Sequence, residues 1–310
     1  MSIQTVLGPI ACENLGITLM HEHTFVDAWE WGGRLDYNST VDDQELLVEE
    51  LEYYRRAGGA SLVDLTSGGL GRNPVGLQRL SAATGLHIVM GAGWYRERVY
   101  PPCVMELSTN HLAEMVIKEF RGGTDGTEVR PGVIGEIGTE RFYITPAEER
   151  VFRACARAQL ETGAAIATHT THFGDLALEQ ITILTEEGVQ PDRIIIGHLG
   201  ERRDAKDVLA VAAKGVYVSI DHVGRPASAG TQPELQRAQN VFETVRAGYL
   251  DRVLISMDIC ANSLMHWNGG HGYDYLLLKF LPMLTDLGLT RKEIQTILVE
   301  NPQRVLDFSI

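Results

Sequence analysis

The sequence is poor in cysteine and in basic charge. Its 310 residues include four cysteines, none of them in a C-x-x-C pair, which excludes a zinc ribbon or a thioredoxin-like dithiol and fits a reducing cytoplasm. Lysine and arginine total 27 against 41 acidic residues, for a formal charge of −14. This balance argues against nucleic acid as a partner, since a phosphate backbone needs a basic footprint, and against docking on anionic lipid.

Long apolar runs and targeting features are also missing. Residues 1–16 carry neither the basic n-region nor the apolar h-region of a secretory signal. No apolar run approaches the roughly 18 residues that a membrane span needs. We therefore expect a cytoplasmic protein that works on a small-molecule substrate and has no membrane partner.

Short β-branched runs alternate with longer amphipathic stretches along the whole chain. The predicted strands are 17–23, 60–66, 87–93, 132–138, 164–170, 193–199, 216–222 and 252–258. Helical patterns lie between them, for example at 42–59, 146–163 and 233–250. Eight strands, each followed by a helix, predict a single-domain α/β protein, a (β/α)8 TIM barrel over residues 1–310. An open doubly wound sheet is the alternative, although no G-x-G-x-x-G follows the first strand.

Additional segments flank and extend this repeat. Residues 3–16, with Gly8 and Pro9 at their centre, predict a short N-terminal hairpin over the barrel bottom, and 290–308 predicts a closing C-terminal helix. Extended loops follow four strands, at 24–41, 94–107, 223–232 and 259–272. Loops after barrel strands lie on the face where barrels place their chemistry.

Half of the ten histidines fall at the ends of predicted strands, together with several carboxylates. These residues are His21 and His23, Glu136, His169, His198, Asp221 and His222, and Asp258. On a strand, residues i and i+2 share a face, so His21 and His23 point inward and Glu22 points outward. Each residue taken alone is more often structural than a ligand. Six candidate ligands at five strand ends together predict a site for first-row metal ions.

The number of candidate ligands predicts two divalent ions. One set is His21, His23 and Asp258, the other is His169 and His198, and Glu136 lies between them as the bridge. Two such ions can share a hydroxide, lower its pKa and polarise a substrate oxygen, which predicts a hydrolase. Zn²⁺ is the default ion for histidine and carboxylate ligands, and Mn²⁺, Fe²⁺ and Co²⁺ are compatible with them.

These motifs resemble the phosphotriesterase family of the amidohydrolase superfamily over essentially the whole chain. The matching segments are L-M-H-E-H, T-H-T, I-I-I-G-H, S-I-D-H, S-M-D and the closing E-N-P-Q-R-V-L. Within the family, G-V-I-G-E-I-G and G-G-H-G-Y are closest to the phosphotriesterase-related branch. Members of the family often form dimers, so the resemblance is compatible with a homodimer.

The bridge departs from the pattern of the best-known family members, which use a carboxylated lysine on the fourth strand. This chain has only five lysines, all in predicted helical or terminal segments: Lys118, Lys206, Lys214, Lys279 and Lys292. Glu136 therefore takes the position, as in the related branch. Its shorter side chain requires a closer approach of the strand to the metals.

The resemblance also implies a proton relay and contacts with the substrate. Asp258, His222 and Glu201 match the relay positions, and the alternative for Glu201 is a surface salt bridge with Arg202 or Arg203. Tyr95 matches a position that orients the attacked group near the bridging water. The candidate substrate contacts are Tyr95, from this match, and three residues chosen for their place in the long loops, namely Arg225, Trp267 and His271. All four tryptophans fall in the long loops, which predicts either a partly aromatic pocket or packing between the loops.

Binuclear activation of water suits several kinds of substrate. We expect a lactonase or carboxyl esterase first, because these activities are common native ones in the family. An amidase acting on N-acyl compounds is second, owing to G-E-I-G and G-G-H-G-Y, and a phosphotriesterase is third. A non-catalytic small-molecule binding protein is the alternative from a different class, and the intact ligand positions argue against it.

Overall fold

Eight strands form the centre of the molecule. The computed structural model describes residues 2–28, 37–171, 176–228 and 230–308. The strands are β1 (Thr18–Glu22), β2 (Ser61–Asp64), β3 (His87–Ala92), β4 (Val133–Gly138), β5 (Ile166–His169), β6 (Ile194–Ile196), β7 (Tyr217–Ile220) and β8 (Val253–Ile255). All lie within the predicted strand segments.

Each strand pairs in parallel with the next one in the chain, in the order β1 to β8. The α-helices are Gln44–Arg56, Pro74–Thr84, Pro102–Glu106, Thr109–Gly122, Pro146–Thr162, Ala177–Glu186, Ala205–Ala212, Glu234–Thr244, Leu281–Asp286, Arg291–Gln295 and Asn301–Leu306. The predicted (β/α)8 barrel in a single domain is thus confirmed. Within the described part of the chain, no helix is both long and apolar enough to cross a membrane.

Local sequence signals set several helix ends. Thr145 and Glu148 form a reciprocal capping box at the start of Pro146–Thr162, and Pro146 occupies the first turn. Gly163 ends that helix with a left-handed φ of 74°, which a side chain would disfavour. The helix predicted at 146–163 therefore begins and ends where its capping residues indicate.

Side chains of the strands alternate between the barrel interior and the surrounding helices. Met20, Val63, Val89, Tyr217 and Leu254 pack together in the interior with other buried residues of the same layer. The neighbouring strand positions pack instead with the helices in a larger apolar core. The interior layer in the lower part of the barrel is therefore a closed apolar plug, and the buried histidines and carboxylates of the candidate site lie at the opposite ends of the strands.

The two ends of the chain cover the bottom of the barrel. An antiparallel hairpin pairs Ser2–Thr5 with Gly8–Ala11, and Ile3 packs into the interior layer with Val305 and Leu306 of the last helix. The predicted centre of this hairpin was wrong. Val6 and Leu7 form the turn because the Thr5 hydroxyl donates to Gly8 O (2.6 Å), so Gly8 and Pro9 begin the second strand.

Two strands end three residues earlier than the sequence pattern indicates. β6 ends at Ile196 and β8 ends at Ile255, so His198 and Asp258 lie beyond the strands. Both residues adopt left-handed backbone conformations, with φ of 61° and 51°. This conformation is costly for residues other than glycine and turns the chain sharply at the rim.

The barrel closes between its first and last strands through Glu22. This fully buried carboxylate accepts hydrogen bonds from Ser256 Oγ (2.7 Å), Met257 N (2.9 Å) and Ile259 N (2.9 Å). Backbone bonds from Asp258 N to His21 O (3.0 Å) and from His23 N to Ile259 O (3.1 Å) continue the contact. Glu22 points away from the interior, as predicted, but into this junction between β1 and β8.

Replacing Glu22 by glutamine should therefore weaken the closure of the barrel. A glutamine offers one acceptor oxygen, and its amide N–H₂ would face an N–H donor, so we expect Glu22→Gln to lower the free energy of unfolding by about 1–3 kcal/mol. Denaturant unfolding of both proteins at the same metal loading measures the loss. Glu49→Gln, on the exposed face of Gln44–Arg56, is the matched control and should unfold like the original chain. Equal stability of Glu22→Gln and the control would contradict this account.

Candidate metal centre

Six buried side chains meet at the C-terminal rim of the barrel. His21, Glu136 and His169 come from β1, β4 and β5, and His23 directly follows β1. His198 and Asp258 lie just beyond β6 and β8. All six are at most 7% exposed. The structure thus brings together every residue that the sequence predicts as a metal ligand.

Glu136 lies between the two predicted ligand sets. Its Oε1 is 2.9 Å from both His169 Nδ1 and His198 Nε2, and 3.5 Å from His21 Nε2. Its Oε2 is 3.9 Å from His23 Nε2. One carboxylate thus faces imidazoles of both sets, which is the geometry that a bridging ligand requires.

Asp258 faces the two histidines of its own ligand set and one further histidine. Its Oδ1 lies 3.2 Å from His23 Nε2 and 3.7 Å from His21 Nε2. Its Oδ2 lies 2.9 Å from His222 Nε2. The two oxygens of Asp258 therefore connect the ligand cluster with the side chain of His222.

The donors fit divalent metal ions. Three groupings have ligand atoms within 4.8 Å of one another: His21 with Glu136 and His198, His21 with His23 and Asp258, and His198 with His222 and Asp258. His21 Nε2 is buried and has no hydrogen-bond partner among the described residues, although it points at both carboxylates. A buried nitrogen oriented in this way suits coordination, and imidazole with carboxylate is the donor set typical of Zn²⁺ and its first-row neighbours.

The carboxylates of the cluster remain ionised despite their burial. Burial by itself raises the pKa of Glu136, but His21 and His169 outweigh it, so this pKa lies well below its usual value. For Asp258 the same holds, with Arg225 as the largest lowering influence. Ionised carboxylates in a buried site need positive charge close by, which imidazolium or a divalent cation can supply.

Asp221 is a member of the site that the sequence reasoning did not assign a role. It is fully buried, and its Oδ2 accepts from His21 Nδ1 (3.0 Å) while Oδ1 accepts from His198 Nδ1 (3.0 Å). The backbone N–H of His198 also donates to Oδ1 (2.8 Å). One carboxylate thus orients one histidine of each ligand set, leaving both Nε2 atoms directed into the cluster. The sequence feature that could have identified Asp221 as a member of the site is its position next to His222 at the end of a predicted strand.

The predicted relay residues form a continuous chain. His222 Nδ1 lies 2.9 Å from Glu201 Oε1, and its Nε2 lies 2.9 Å from Asp258 Oδ2. The buried Arg237 donates to the same Glu201 oxygen (3.0 Å), a contact that the sequence did not indicate. Burial, reinforced by the charge of Arg225, lowers the pKa of His222, so the ring is neutral near pH 7 and can accept a proton.

A cavity of about 380 Å³ opens in front of the cluster. Each of the four extended loops contributes to its wall, through Val26 and Ala28, Tyr95 and Arg96, Arg225, and Cys260. The Tyr95 hydroxyl lies 3.1 Å from His169 Nδ1. Arg225 Nη2 donates to Asp258 Oδ2 (2.6 Å) and Asp258 O (2.8 Å), which fixes this carboxylate in place.

Other predicted substrate contacts lie away from this cavity. Trp267 packs against the apolar core, and His271 Nε2 lies 2.6 Å from Gly224 O. Trp94 also packs in the apolar core, whereas the side chain of its neighbour Tyr95 lines the cavity. Trp29 and Trp31 lie outside the described residues. Among the described residues, the apolar part of the lining is therefore mainly aliphatic, with Tyr95 as its aromatic member.

The fold is a (β/α)8 barrel, and its buried cluster of histidines and carboxylates lies at the C-terminal ends of the strands, the face on which barrel enzymes carry their active sites. The model of the phosphotriesterase family matches residues 1–306, and the chain belongs to that family. The resemblance seen in the sequence motifs is thereby confirmed.

Relatives support a hydrolase. The chain is 34% identical to the phosphotriesterase homology protein of Escherichia coli (strain K12), covering 93% of this chain and 97% of the relative. It is 31% identical to the N-acetyltaurine hydrolase of Danio rerio, covering 99% and 98% of the two chains. The crystal structure of a lactonase from Listeria monocytogenes superimposes with a TM-score of 0.92 at 29% identity, covering 100% of both chains. The protein is therefore an enzyme, a hydrolase of this family.

Loss of the Asp221 carboxylate should weaken metal binding at both halves of the cluster. We expect Asp221→Asn to lower the affinity for divalent ions about 10–100-fold, because an amide cannot accept from both imidazoles as a carboxylate does. Competition with a chromogenic chelator measures the affinity, and elemental analysis measures the ions retained. Asp251→Asn, an exposed position, is the matched control. Unchanged binding in Asp221→Asn would show that the two histidines are oriented by other contacts.

Proposed function

We propose that this protein is a binuclear-metal-dependent hydrolase that cleaves a lactone or a carboxyl ester. The observation that carries the proposal is the convergence of six buried donors, Glu136 among them, at one rim of the barrel, with His21 Nε2 directed at two carboxylates. Zn²⁺ is the preferred ion, and Mn²⁺, Fe²⁺ or Co²⁺ are compatible with the same donors.

The residues divide into two ligand sets. His21, His23 and Asp258 would hold one ion, His169 and His198 the other, and Glu136 would contact both. When bound, the two ions would lower the pKa of a shared water and polarise the carbonyl oxygen of the substrate. Asp221 keeps His21 and His198 in the tautomer that presents Nε2 to the ions.

The remaining side chains handle protons and hold the substrate. Asp258 can receive a proton and pass it to His222, whose ring is held by Glu201 on its other side. Arg225 restrains Asp258 in the orientation that this transfer needs. The hydroxyl of Tyr95, beside His169, is placed to orient the acyl group. A cavity of about 380 Å³ restricts the substrate to a small molecule.

The choice of substrate rests on the relatives and on the cavity. The lactonase from Listeria monocytogenes supports a lactone or ester as the first candidate. Hydrolysis of an N-acyl compound is the second candidate, supported by the N-acetyltaurine hydrolases that match nearly the full chain. All these substrates present a carbonyl oxygen to be polarised and a leaving group to be expelled.

The decisive experiment combines metal analysis with a substrate panel. Purified protein loaded with Zn²⁺ should contain close to two ions per chain, and removal by a chelator should abolish turnover. Comparison of kcat/KM over γ-lactones, alkyl acetates, N-acyl amino compounds and aryl phosphotriesters should rank lactones or esters first. A preference for N-acyl compounds would select the second candidate. Metal content near zero after careful loading, with no turnover, would contradict the proposal and favour a binding protein.

Loss of the relay should affect turnover without emptying the metal centre. We expect His222→Asn to lower kcat about 10²-fold or more while KM changes little, because proton transfer is slowed and the donor set stays complete. Steady-state kinetics and elemental analysis of the same preparation test this. The matched control is His111→Asn, at an exposed position on Thr109–Gly122. Loss of metal in His222→Asn would instead make His222 a ligand.

A further inference from the structure

A fully buried arginine lies behind the proton relay. Arg237 belongs to the helix Glu234–Thr244, near its start, and none of its side chain is exposed. Its Nη2 donates to Glu201 Oε1 (3.0 Å), while its Nη1 donates to Glu234 Oε2 (2.7 Å) and to Arg225 O (2.8 Å). The guanidinium therefore connects a residue of the relay with the loop that follows β7.

The contact with Glu201 fixes the outer end of the relay. Glu201 is 4% exposed, and the oxygen that accepts from Arg237 also lies 2.9 Å from His222 Nδ1. The other oxygen of Glu201 accepts from Gln232 N (2.6 Å). Burial by itself raises the pKa of Glu201, but His222 and Arg237 outweigh it and bring the pKa to about 2, so this carboxylate is an ionised acceptor. Arg237 is thus one of the contacts that aim Glu201 Oε1 at His222.

The backbone of Gly224 and Arg225 is held from several sides. Gly224 N donates to Glu234 Oε1 (3.0 Å), and Gly224 O lies 2.6 Å from His271 Nε2. Gly224 has a φ of 85°, and a Cβ there would lie 2.5 Å from His271 Nε2, so this close approach requires glycine. Together with the bond from Arg237 to Arg225 O, these contacts fix the segment from which the Arg225 side chain extends.

Arg225 transmits this position to the inner end of the relay. Its Nη2 donates to Asp258 Oδ2 (2.6 Å) and to Asp258 O (2.8 Å). The same Asp258 Oδ2 lies 2.9 Å from His222 Nε2. Arg237 therefore acts on both neighbours of His222, directly on Glu201 and through the backbone of Arg225 on Asp258.

Stability alone does not account for a buried charge at this place. Taking a guanidinium and its carboxylate partners out of water is costly, and apolar side chains of similar volume often replace such groups without loss of stability. A methionine at position 237 could fill the same space. It would lack the directed N–H groups that reach Glu201 and the backbone of Arg225.

We propose that Arg237 is a positioning residue of the relay. It holds Glu201, and through Arg225 also Asp258, on the two sides of His222. This inference rests on the proposed function, because the relay belongs to the hydrolytic mechanism, and it extends that function to a residue that is not among those lining the cavity.

Loss of these directed contacts should slow turnover and leave the metal centre filled. We expect Arg237→Met to lower kcat at least about tenfold on the γ-lactone or alkyl acetate that the original protein hydrolyses best, with KM changed less than about threefold. Arg237→Lys keeps the charge but cannot hold both partners at once, so its kcat should lie between those of the other two proteins. Elemental analysis should return the same number of ions in all three.

A control and a double variant separate positioning from general destabilisation. Arg193→Met removes an arginine that donates to Asp307 O (2.8 Å) on the face opposite the cavity, and it should leave kcat unchanged. In a Glu201→Gln background there is less for Arg237 to align, so the combined loss in kcat should be at least about threefold smaller than the product of the two single losses. The same comparison with Arg237→Lys applies if Arg237→Met does not fold. Single losses that multiply, or an unchanged kcat in the Arg237 variants, would overturn the proposal.

A spectroscopic measurement keeps this inference separate from the proposed function. In Zn²⁺-loaded protein with ¹⁵N-labelled histidine, the Nδ1–H of His222 should give a downfield resonance protected from exchange, because it is bound to the buried Glu201. His222→Asn identifies this resonance, and its absence from the original protein would contradict the contact on which the proposal depends. Arg237→Met or Arg237→Lys should shift it upfield or broaden it by exchange with water, whether or not any compound of the panel is hydrolysed.

Arg193→Met should leave the His222 resonance in place. A resonance that the Arg237 variants also leave unchanged would overturn the positioning role, and turnover of the substrate panel would then show that the hydrolase itself is intact. Absence of turnover together with a resonance that moves in the Arg237 variants would instead contradict the proposed function and leave the alignment of His222 by Arg237 standing.

Discussion

The contact between the first and last strands is the constraint on which the rest of the structure depends. A row of parallel strands becomes a ring only where its edges meet. Here the junction is centred on one buried carboxylate, Glu22, which accepts three hydrogen bonds from residues 256–259, and backbone hydrogen bonds lie beside it. The residues on either side of Glu22 are His21 and His23, and Asp258 lies within the segment that it binds. The same junction that closes the barrel therefore brings these three predicted ligands together, so fold and site share one set of contacts.

Charge organises the site above this junction. Glu136, Asp221, Asp258 and Glu201 are all buried, and the pKa of each is lowered by imidazoles or arginines that outweigh the effect of burial. Asp221 in turn outweighs the burial of His198 and raises its pKa to about 9. Carboxylates thus alternate with imidazoles or guanidinium groups from Glu136 outward to Arg237, and each carboxylate is held by at least one nitrogen-bearing side chain. Such alternation preorganises the donors before any ligand arrives.

Periodicity and strand-end residues predicted the barrel, its eight strands and the convergence of six donors, because these follow from local patterns and from the rule that strand ends meet on one face. The left-handed conformations of His198 and Asp258 were not predictable, since neither residue type requires them. Asp221 was recognised at a strand end but given no role, because its partners, His21 and His198, are 200 and 23 residues away in the chain. Trp267 and His271 were expected at the substrate because their loop belongs to the catalytic face, but tertiary packing turned both side chains elsewhere. Residues in loops do not alternate with a regular period, so the sequence does not predict which way their side chains point.

The covering of the barrel bottom has a consequence for how the molecule can be handled. Ser2 N donates to Asp307 Oδ1 (3.0 Å), and Phe308 N donates to Ser2 O (3.4 Å), so residues 2 and 308 are direct neighbours. Both lie on the face opposite the cavity. A short linker could join these positions, with new ends opened in a surface loop, and the order of strands around the ring would be unchanged. Attachment to a surface through this face would likewise leave the entrance of the cavity directed toward the solution.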